Sequence, residues 1–438
     1  MSNRQQLVLI GNGMAGVRTV EELLRLAPDA YDITVLGEEP HTNYNRIMLS
    51  PLLANETTLA DIVLNDAEWY AAHGITLRTG VKAERIHRAA RTVEIDTGEQ
   101  IPYDKLIIAT GSNPIRLPLP GADKTGVIGF RDISDVRAMQ HAAKHYRKAV
   151  VIGGGLLGLE AANGLLKQGM DVTVVHLASH LMERQLDPYA AGLLQKSLEA
   201  RGMHFLMEHA SDHVLGEDRV TGIAFSNGHV AETDLLVMAV GIRPNIEIAR
   251  ESGLHCDRGI VVNDTLQTYD PRIYAVGECA QHRGTVYGLV APLFDMGKVA
   301  ANHLAGLGIS RYQGSVTSTR LKVTGINLFS AGDFTGNGDT ETLVLKDPGF
   351  GVYKKIVLKD SVIQGCVLYG DTQDGAWYFE LMNDEVDVSD LRDALIFGPP
   401  KEPPADRPSA PAKTIAIHPI NSDADTSAGK THSQRTHG

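Results

Sequence analysis

Apolar positions along the chain fall into two recurring patterns, short runs that end in glycine and longer stretches with one apolar helical face. Residues 7–10 (LVLI) lead into the cluster GNGMAG, and 17–26 keep their apolar side chains on one face, so the opening predicts strand, turn and helix. Residues 33–36 predict the next strand. This β-α-β order, closed by a right-handed crossover, builds a parallel sheet buried on both faces. The same grammar returns at 149–152 (strand), 153–155 (turn), 156–167 (helix) and 172–175 (strand), so two such units lie in tandem. Between them, 92–95 and 105–109 predict strands, the second running into a TGSNP loop. After them, 235–240 and 273–276 predict strands running into GIRPN and GECA. From about residue 312 the style changes to shorter β-like segments, 323–331, 342–345, 353–358 and 362–368, followed by a helical-looking stretch at 389–396. This predicts a separate α+β unit. Residues 399–438 hold 7 of the 19 prolines and little apolar periodicity, the composition of a disordered tail that does not repay its ordering entropy.

Length and composition narrow the class. At 438 residues, about three folding units of roughly 150 residues are expected. A 43% hydrophobic and 21% charged composition is that of soluble globular domains with sizeable cores. The net charge of −12 has the wrong sign for a protein whose main task is to neutralise phosphate backbones, so no nucleic-acid partner is expected. Even the most apolar stretches, such as 235–242, fall short of the roughly 18–20 residues that span a bilayer. The polar start MSNRQQ lacks a signal-peptide layout, so a cytoplasmic protein away from the membrane is expected. Cys256, Cys279 and Cys366 are too few and too scattered for a disulfide framework or a CxxC pair, and no metal site is expected. His418, His432 and His437 are scattered in the polar tail and read as solvated. Glycine is the informative excess, 44 of 438 residues against a background of about 7%.

Many of those glycines stand where a nucleotide would be cradled. Gly11, Gly13 and Gly16 in IGNGMAG form a dinucleotide fingerprint: the first makes the tight turn, the second lets a pyrophosphate approach the backbone, and the third lets helix and strand pack closely. The following helix N-terminus supplies the anion site. Glu38, with Glu39 beside it, follows the next strand, where an acid takes the ribose hydroxyls. A second fingerprint, Gly153, Gly155 and Gly158 in VIGGGLLGLEAA, implies a second dinucleotide. Its second strand ends at His176, where an acid would suit NADH and an arginine NADPH, so this position does not settle the choice; a ribose contact and a plain strand-end cap both fit it. Glu160, on the first turn of the helix, also fits as an acid complementing the helix dipole.

Together these motifs resemble the two-dinucleotide superfamily of pyridine-nucleotide-dependent FAD reductases. The resemblance rests on IGNGMAG, ATG (Ala109, Thr110, Gly111), GGGLLGLE (153–160), VGIRPN (240–245) and YAVGE (274–278). It implies an α/β fold with two Rossmann-like dinucleotide-binding domains, glutathione-reductase-like, plus a small α+β C-terminal domain. Residues 1–113 and the return segment 251–311 would form an FAD-binding domain, 114–250 an NAD(P)H-binding domain and 312–398 a C-terminal interface domain, before the tail 399–438. Under the same resemblance Ala15 joins the FAD fingerprint, the ATG turn closes over FAD, Leu156 and Gly241 join the NAD(P)H site, and Gly277 with Glu278 returns to the ribityl and phosphate part of FAD. Glutamate stands there in place of the usual aspartate, which keeps the acceptor and adds a methylene.

Four further stretches narrow the branch. NYNRIMLSPLL (43–53), VTVVHLASHLMERQLDP (172–188), GECAQHRGTVYGLVAPL (277–293) and STRLKVTGINLFSAGD (318–333) are similar to the amino-terminal reductase part of NADH-dependent assimilatory nitrite reductase large subunits and to related nitrate reductase electron-transfer subunits. That similarity covers about residues 5–398. It implies NADH (or NADPH) as donor, a rubredoxin-reductase-like end domain, and Arg46 facing the FAD pyrophosphate, a task suited to a bidentate guanidinium; a surface arginine is the alternative reading.

The departures shape the expected chemistry. Three scattered cysteines do not furnish the iron–sulfur and sirohaem modules of full nitrite reductases, so six-electron reduction is not expected within these residues. No cysteine stands near Leu49 and Ser50, where oxidase relatives keep theirs, and Pro51 replaces the lysine of some ferredoxin reductases. What remains is hydride transfer from nicotinamide to flavin, with Glu160 orienting the nicotinamide end. The expected acceptor is a separate carrier: a ferredoxin, a rubredoxin, or a sirohaem or molybdenum subunit. A homodimer is compatible. The competing class is a redox-responsive binding protein of the apoptosis-inducing-factor kind, in which slow reduction changes partner choice.

Overall fold

The computed structural model describes residues 4–321 and 325–400. Residues 401–438, most of the expected tail, lie outside the described residues. In the first unit the strands Ile273–Ala275, Lys105–Ile108, Gln5–Ile10, Tyr31–Gly37 and Thr76–Thr79 lie in that order in one sheet, each neighbouring pair parallel. Leu7 pairs with Ile33 on one side and Lys105 on the other, and Leu7, Leu106, Ile107 and Ile108 are fully buried, as a sheet covered on both faces requires. Residues 92–95 form the expected strand but belong to a separate antiparallel meander, Ala83–His87, Thr92–Ile95 and Gln100–Pro102.

The helix Met14–Leu26 packs closely on Val290–Leu304, a helix that the apolar pattern does not predict. Pro292, Met296, Ala300 and Leu304 are among its many buried residues, so no polar stripe marks a helical period. The close approach needs Gly297: a Cβ there would stand 3.0 Å from Thr19 Oγ1.

The second unit repeats the plan. Val127–Ile128, Leu235–Met238, Lys148–Ile152, Asp171–Val175 and His204–Leu206 form a parallel sheet, with the helix Leu156–Lys167 where the pattern predicts it. TGSNP, expected as a loop, and GIRPN contribute the strands Ser112–Pro114 and Ile242–Pro244, which pair antiparallel as the double link between the units. Each has only one partner, and such an edge tolerates proline. The chain returns to the first unit at Ile246 rather than after residue 250, because Ile246, Ile248 and Ala249 are buried in the first core; Tyr312, expected in the end domain, is buried there as well.

The C-terminal domain is an antiparallel sheet in the order Ser318–Arg320, Leu328–Gly332, Val362–Tyr369, Val352–Lys359 and Glu341–Asp347, backed by the helix Gly375–Asn383. The expected strand 323–331 starts later, at Leu328, after Gly325 turns with φ +76°; residues 322–324 lie outside the described residues. The expected helix at 389–396 is two 3-10 turns, Ser389–Leu391 and Leu395–Phe397. Asp387 Oδ1 accepts the Ser389 N–H at 2.8 Å and Ser361 O the Val388 N–H at 2.8 Å, so local bonds replace a helical ladder. The domain rests on the second unit through Tyr353 OH, which donates to Asp187 Oδ2 at 2.6 Å, and the Tyr369–Ser197 hydroxyl pair at 2.6 Å.

Lys354, 4% exposed, lies 2.8 Å from Asp371 and 2.9 Å from Asp374. Burial pulls its ammonium down, but the two carboxylates outweigh burial and hold it above its ordinary value, while the bond from Lys354 holds Asp371 below. The ammonium's contribution to stability is therefore lost as pH rises through its raised value, and that of Asp371 as pH falls through its lowered one. Lys354→Met should cost about 2 kcal/mol at pH 7, discounted for the partial exposure of Asp371. The deficit should shrink below about pH 4, where carboxylates protonate; urea unfolding at the two pH values checks this.

Candidate functional site: two matched glycine clefts

In each fingerprint the first and third glycines stand too close to their neighbours to carry a side chain. Gly11 has φ +107°, and a Cβ on it would stand 2.2 Å from Ala109 O; one on Gly16 would stand 2.9 Å from Ala109 Cβ. Gly153 has φ +120° with a Cβ 2.3 Å from Ala239 O, and a Cβ on Gly158 would stand 1.9 Å from Gly153 O. Ala239 is therefore the counterpart of Ala109, a residue that sequence reading missed although LLVMAVG parallels LIIATG. The middle glycines differ: a Cβ on Gly13 or Gly155 would meet nothing within 4 Å. These two residues cap Met14–Leu26 and Leu156–Lys167, and neither supplies a side-chain cap. Each helix start thus offers unsatisfied N–H groups beside open space, which fits a dinucleotide pyrophosphate.

The late motif closes on the first cleft. Gly277, φ +87°, approaches Ala15 so closely that a Cβ would stand 3.0 Å from the alanine methyl. Glu278 accepts from Ser112 Oγ at 2.8 Å and pairs with Arg131. Thr110 Oγ1 donates to Asn245 O at 2.6 Å, the Asn245 N–H to Gly111 O at 2.9 Å and the Ile115 N–H to Gly241 O at 2.9 Å, so the ATG turn and Gly241 are knitted together across the double link. Arg46, 29% exposed, pairs with Glu39, lies over the Tyr44 ring and donates to Arg131 O at 3.1 Å. Of the two adjacent acids Glu39 is thus engaged, while Glu38 is 68% exposed and only 3.8 Å from Lys82 as an ion pair. Arg131 is a further missed residue; RDISD carries no fingerprint, and only the fold brings it to Glu278.

In the second cleft, Leu156 opens the helix and His176 packs over the fingerprint. The Gly154 N–H donates to His176 Nδ1 at 3.1 Å, and His176 Nε2 is 2.9 Å from Glu183 Oε2. Glu160, 8% exposed, accepts from Ser50 Oγ at 2.9 Å. Ser50 lies on the short helix Leu49–Leu53, whose Leu49 and Leu53 are buried in the second unit's core, and a Cβ on Gly164 would stand 2.6 Å from Leu53 Cδ2. Ser50 thus fixes Glu160 on the first turns of the second cleft's helix.

Comparison with known proteins matches residues 5–297 to the family "Pyridine nucleotide-disulphide oxidoreductase", across both clefts. The chain belongs to this family. Residues 318–386 match the "Rubredoxin NAD+ reductase C-terminal domain". Among curated relatives, a "Nitrite reductase [NAD(P)H]" of Bacillus subtilis is 52% identical over 396 residues, 90% of this chain and 49% of that protein. The "Assimilatory nitrate reductase electron transfer subunit" of the same species is 48% identical over 90% of this chain and 51% of that protein. The chain thus spans about half the length of these relatives. A ferredoxin reductase from Rhodopseudomonas palustris superposes with TM-score 0.81 at 25% identity, covering 89% of this chain and 98% of that one. An NADH:rubredoxin oxidoreductase from Clostridium acetobutylicum superposes with TM-score 0.73 at 25% identity, covering 88% and 97%.

The disulphide of the family's name finds no counterpart among the described residues. Cys256, Cys279 and Cys366 are free thiols. Burial raises all three, Cys366 to about 12, which keeps them protonated. Cys279 Sγ lies against the first-unit sheet, 3.5 Å from Ile108 O. Among the described residues no helix is long and apolar enough to cross a membrane.

Proposed function

We propose that this chain is an NAD(P)H-dependent FAD reductase that delivers electrons to a separate carrier in nitrite or nitrate assimilation. The observation that carries this reading is the pair of matched glycine clefts, each opening a helix beside free space, the second with its buried Glu160 held by Ser50. Bound FAD supplies the hydride acceptor and the electron store. The chain supplies position. Gly13 and Gly155 leave room for the two pyrophosphates at their helix starts, and Arg46 and Arg131 set positive charge beside the first. Glu38 accepts from the adenosine ribose of FAD, and Glu278 from its ribityl chain. Glu160, fixed by Ser50, orients the nicotinamide end. The 52% and 48% identity to proteins named for nitrite and nitrate reduction supports the pathway. Neighbours named for a ferredoxin and a rubredoxin support a separate one-electron carrier, with sirohaem and molybdenum subunits the other acceptors of the right kind. A homodimer is compatible with this arrangement.

Stopped-flow mixing with NADH is expected to bleach the flavin within a second, followed by rapid reoxidation by ferricyanide. Slow bleaching with a persistent long-wavelength band would favour the redox-responsive binding protein instead.

A further inference from the structure

We propose that Glu183, positioned by His176, selects a nicotinamide nucleotide with a free 2′-hydroxyl, that is NADH over NADPH; this rests on the reductase reading of the second cleft. In Rossmann-type units the side chain that follows the second strand meets the adenosine ribose, an acid for a 2′-hydroxyl and an arginine for a 2′-phosphate. Here that strand is Asp171–Val175, and the following residue, His176, has both ring nitrogens engaged. Nδ1 accepts the Gly154 N–H, so the ring proton sits on Nε2 and is donated to Glu183 Oε2. The imidazole is therefore a neutral positioning group, and the charge at the strand end is the carboxylate of Glu183.

The whole connection is folded onto the fingerprint to hold that carboxylate. The Met182 N–H donates to Gly154 O at 3.0 Å, with Met182 at φ +52°. Gly154 is itself required by the ring, since a Cβ there would stand 2.8 Å from His176 Cγ and 2.7 Å from Leu181 Cδ2. This accounts for the extra glycine of GGG, which the pyrophosphate fingerprint does not use. Glu183 stays 39% exposed, with one oxygen engaged by His176 and the other available to a hydroxyl donor. Leu177, the next residue after the strand end, is 71% exposed and brings no cation. Arg184 lines a cavity of about 340 Å³ with Ser315, Thr317, Thr319 and Ser330, on the side of the C-terminal domain. A 2′-phosphate would bring about two negative charges to a carboxylate already paired only with a neutral ring.

Calorimetric titration with NAD+ and NADP+, alongside turnover of NADH and NADPH with ferricyanide, tests this. Wild type should bind NAD+ about 100-fold more tightly than NADP+. Glu183→Gln should reduce that ratio about tenfold through tighter NADP+ binding, and His176→Ala should shift it about threefold in the same direction. Arg184→Gln should leave the ratio unchanged. A Glu183→Gln ratio within twofold of wild type, or an equal shift in Arg184→Gln, would overturn the inference. Discrimination in binding without any turnover would uphold it and overturn the reductase reading; a wild type that binds neither nucleotide would overturn both.

Discussion

Gly155→Val is expected to fold as the wild type does and to lose its use of nicotinamide nucleotide by about 100-fold in kcat/KM, on the order of 3 kcal/mol. Position 155 has ordinary extended angles, φ −82° and ψ −178°, and a Cβ would meet nothing within 4 Å, so neither strain nor crowding opposes the new side chain. The isopropyl group would occupy the space that the pyrophosphate needs to reach the helix N-terminus. Unfolding in urea should therefore stay within about 1 kcal/mol of wild type, the cost of a poorer helix cap, and flavin content should be unchanged. Gly158→Ala makes the contrast. Its Cβ would stand 1.9 Å from Gly153 O, and relieving that overlap moves helix from strand. Stability should drop by about 3 kcal/mol along with nucleotide binding. A Gly155→Val protein with wild-type NADH kinetics would show that no pyrophosphate lies at this cap.

Arg131→Ala is expected to be purified with little flavin. Arg131 is 21% exposed and its partner Glu278 13%, and removing the guanidinium leaves the carboxylate bonded to Ser112 beside a phosphate-binding cleft. An uncompensated acid there repels the ligand and carries its own desolvation penalty. Flavin affinity should fall about 100-fold and stability by about 2 kcal/mol. Adding Glu278→Gln should restore part of both, since the two side chains act as one pair. Retention of one flavin per chain in Arg131→Ala, measured from the absorption of the denatured protein, would remove Arg131 from the site.

The parts of this molecule legible in sequence are those whose signal is local. The helix Leu156–Lys167 has its residues one after another and a glycine turn at its start, so pattern and position coincide. Val290–Leu304 escaped the same reading because burial on most sides erases the period that would announce it. The 389–396 stretch misled for the opposite reason: its composition suits a helix, but bonds to Asp387 and Ser361 claim the backbone first.

In the site the same division holds. Gly11, Gly13, Gly16, Gly153, Gly155 and Gly158 are readable because each cleft is made by one continuous strand–turn–helix, in which the first glycine takes a positive φ, the second leaves open space and the third allows close packing. Ala239 and Arg131, the Ser50 contact of Glu160, and the hold of His176 on Glu183 join residues that the chain brings together only when folded. The sequence by itself determined that there are two strand–glycine turn–helix clefts and which glycines build them. Which charges face those clefts, and which partners hold them, was decided by tertiary packing, because a side chain's partner across a sheet or between domains leaves no spacing in the sequence to be read.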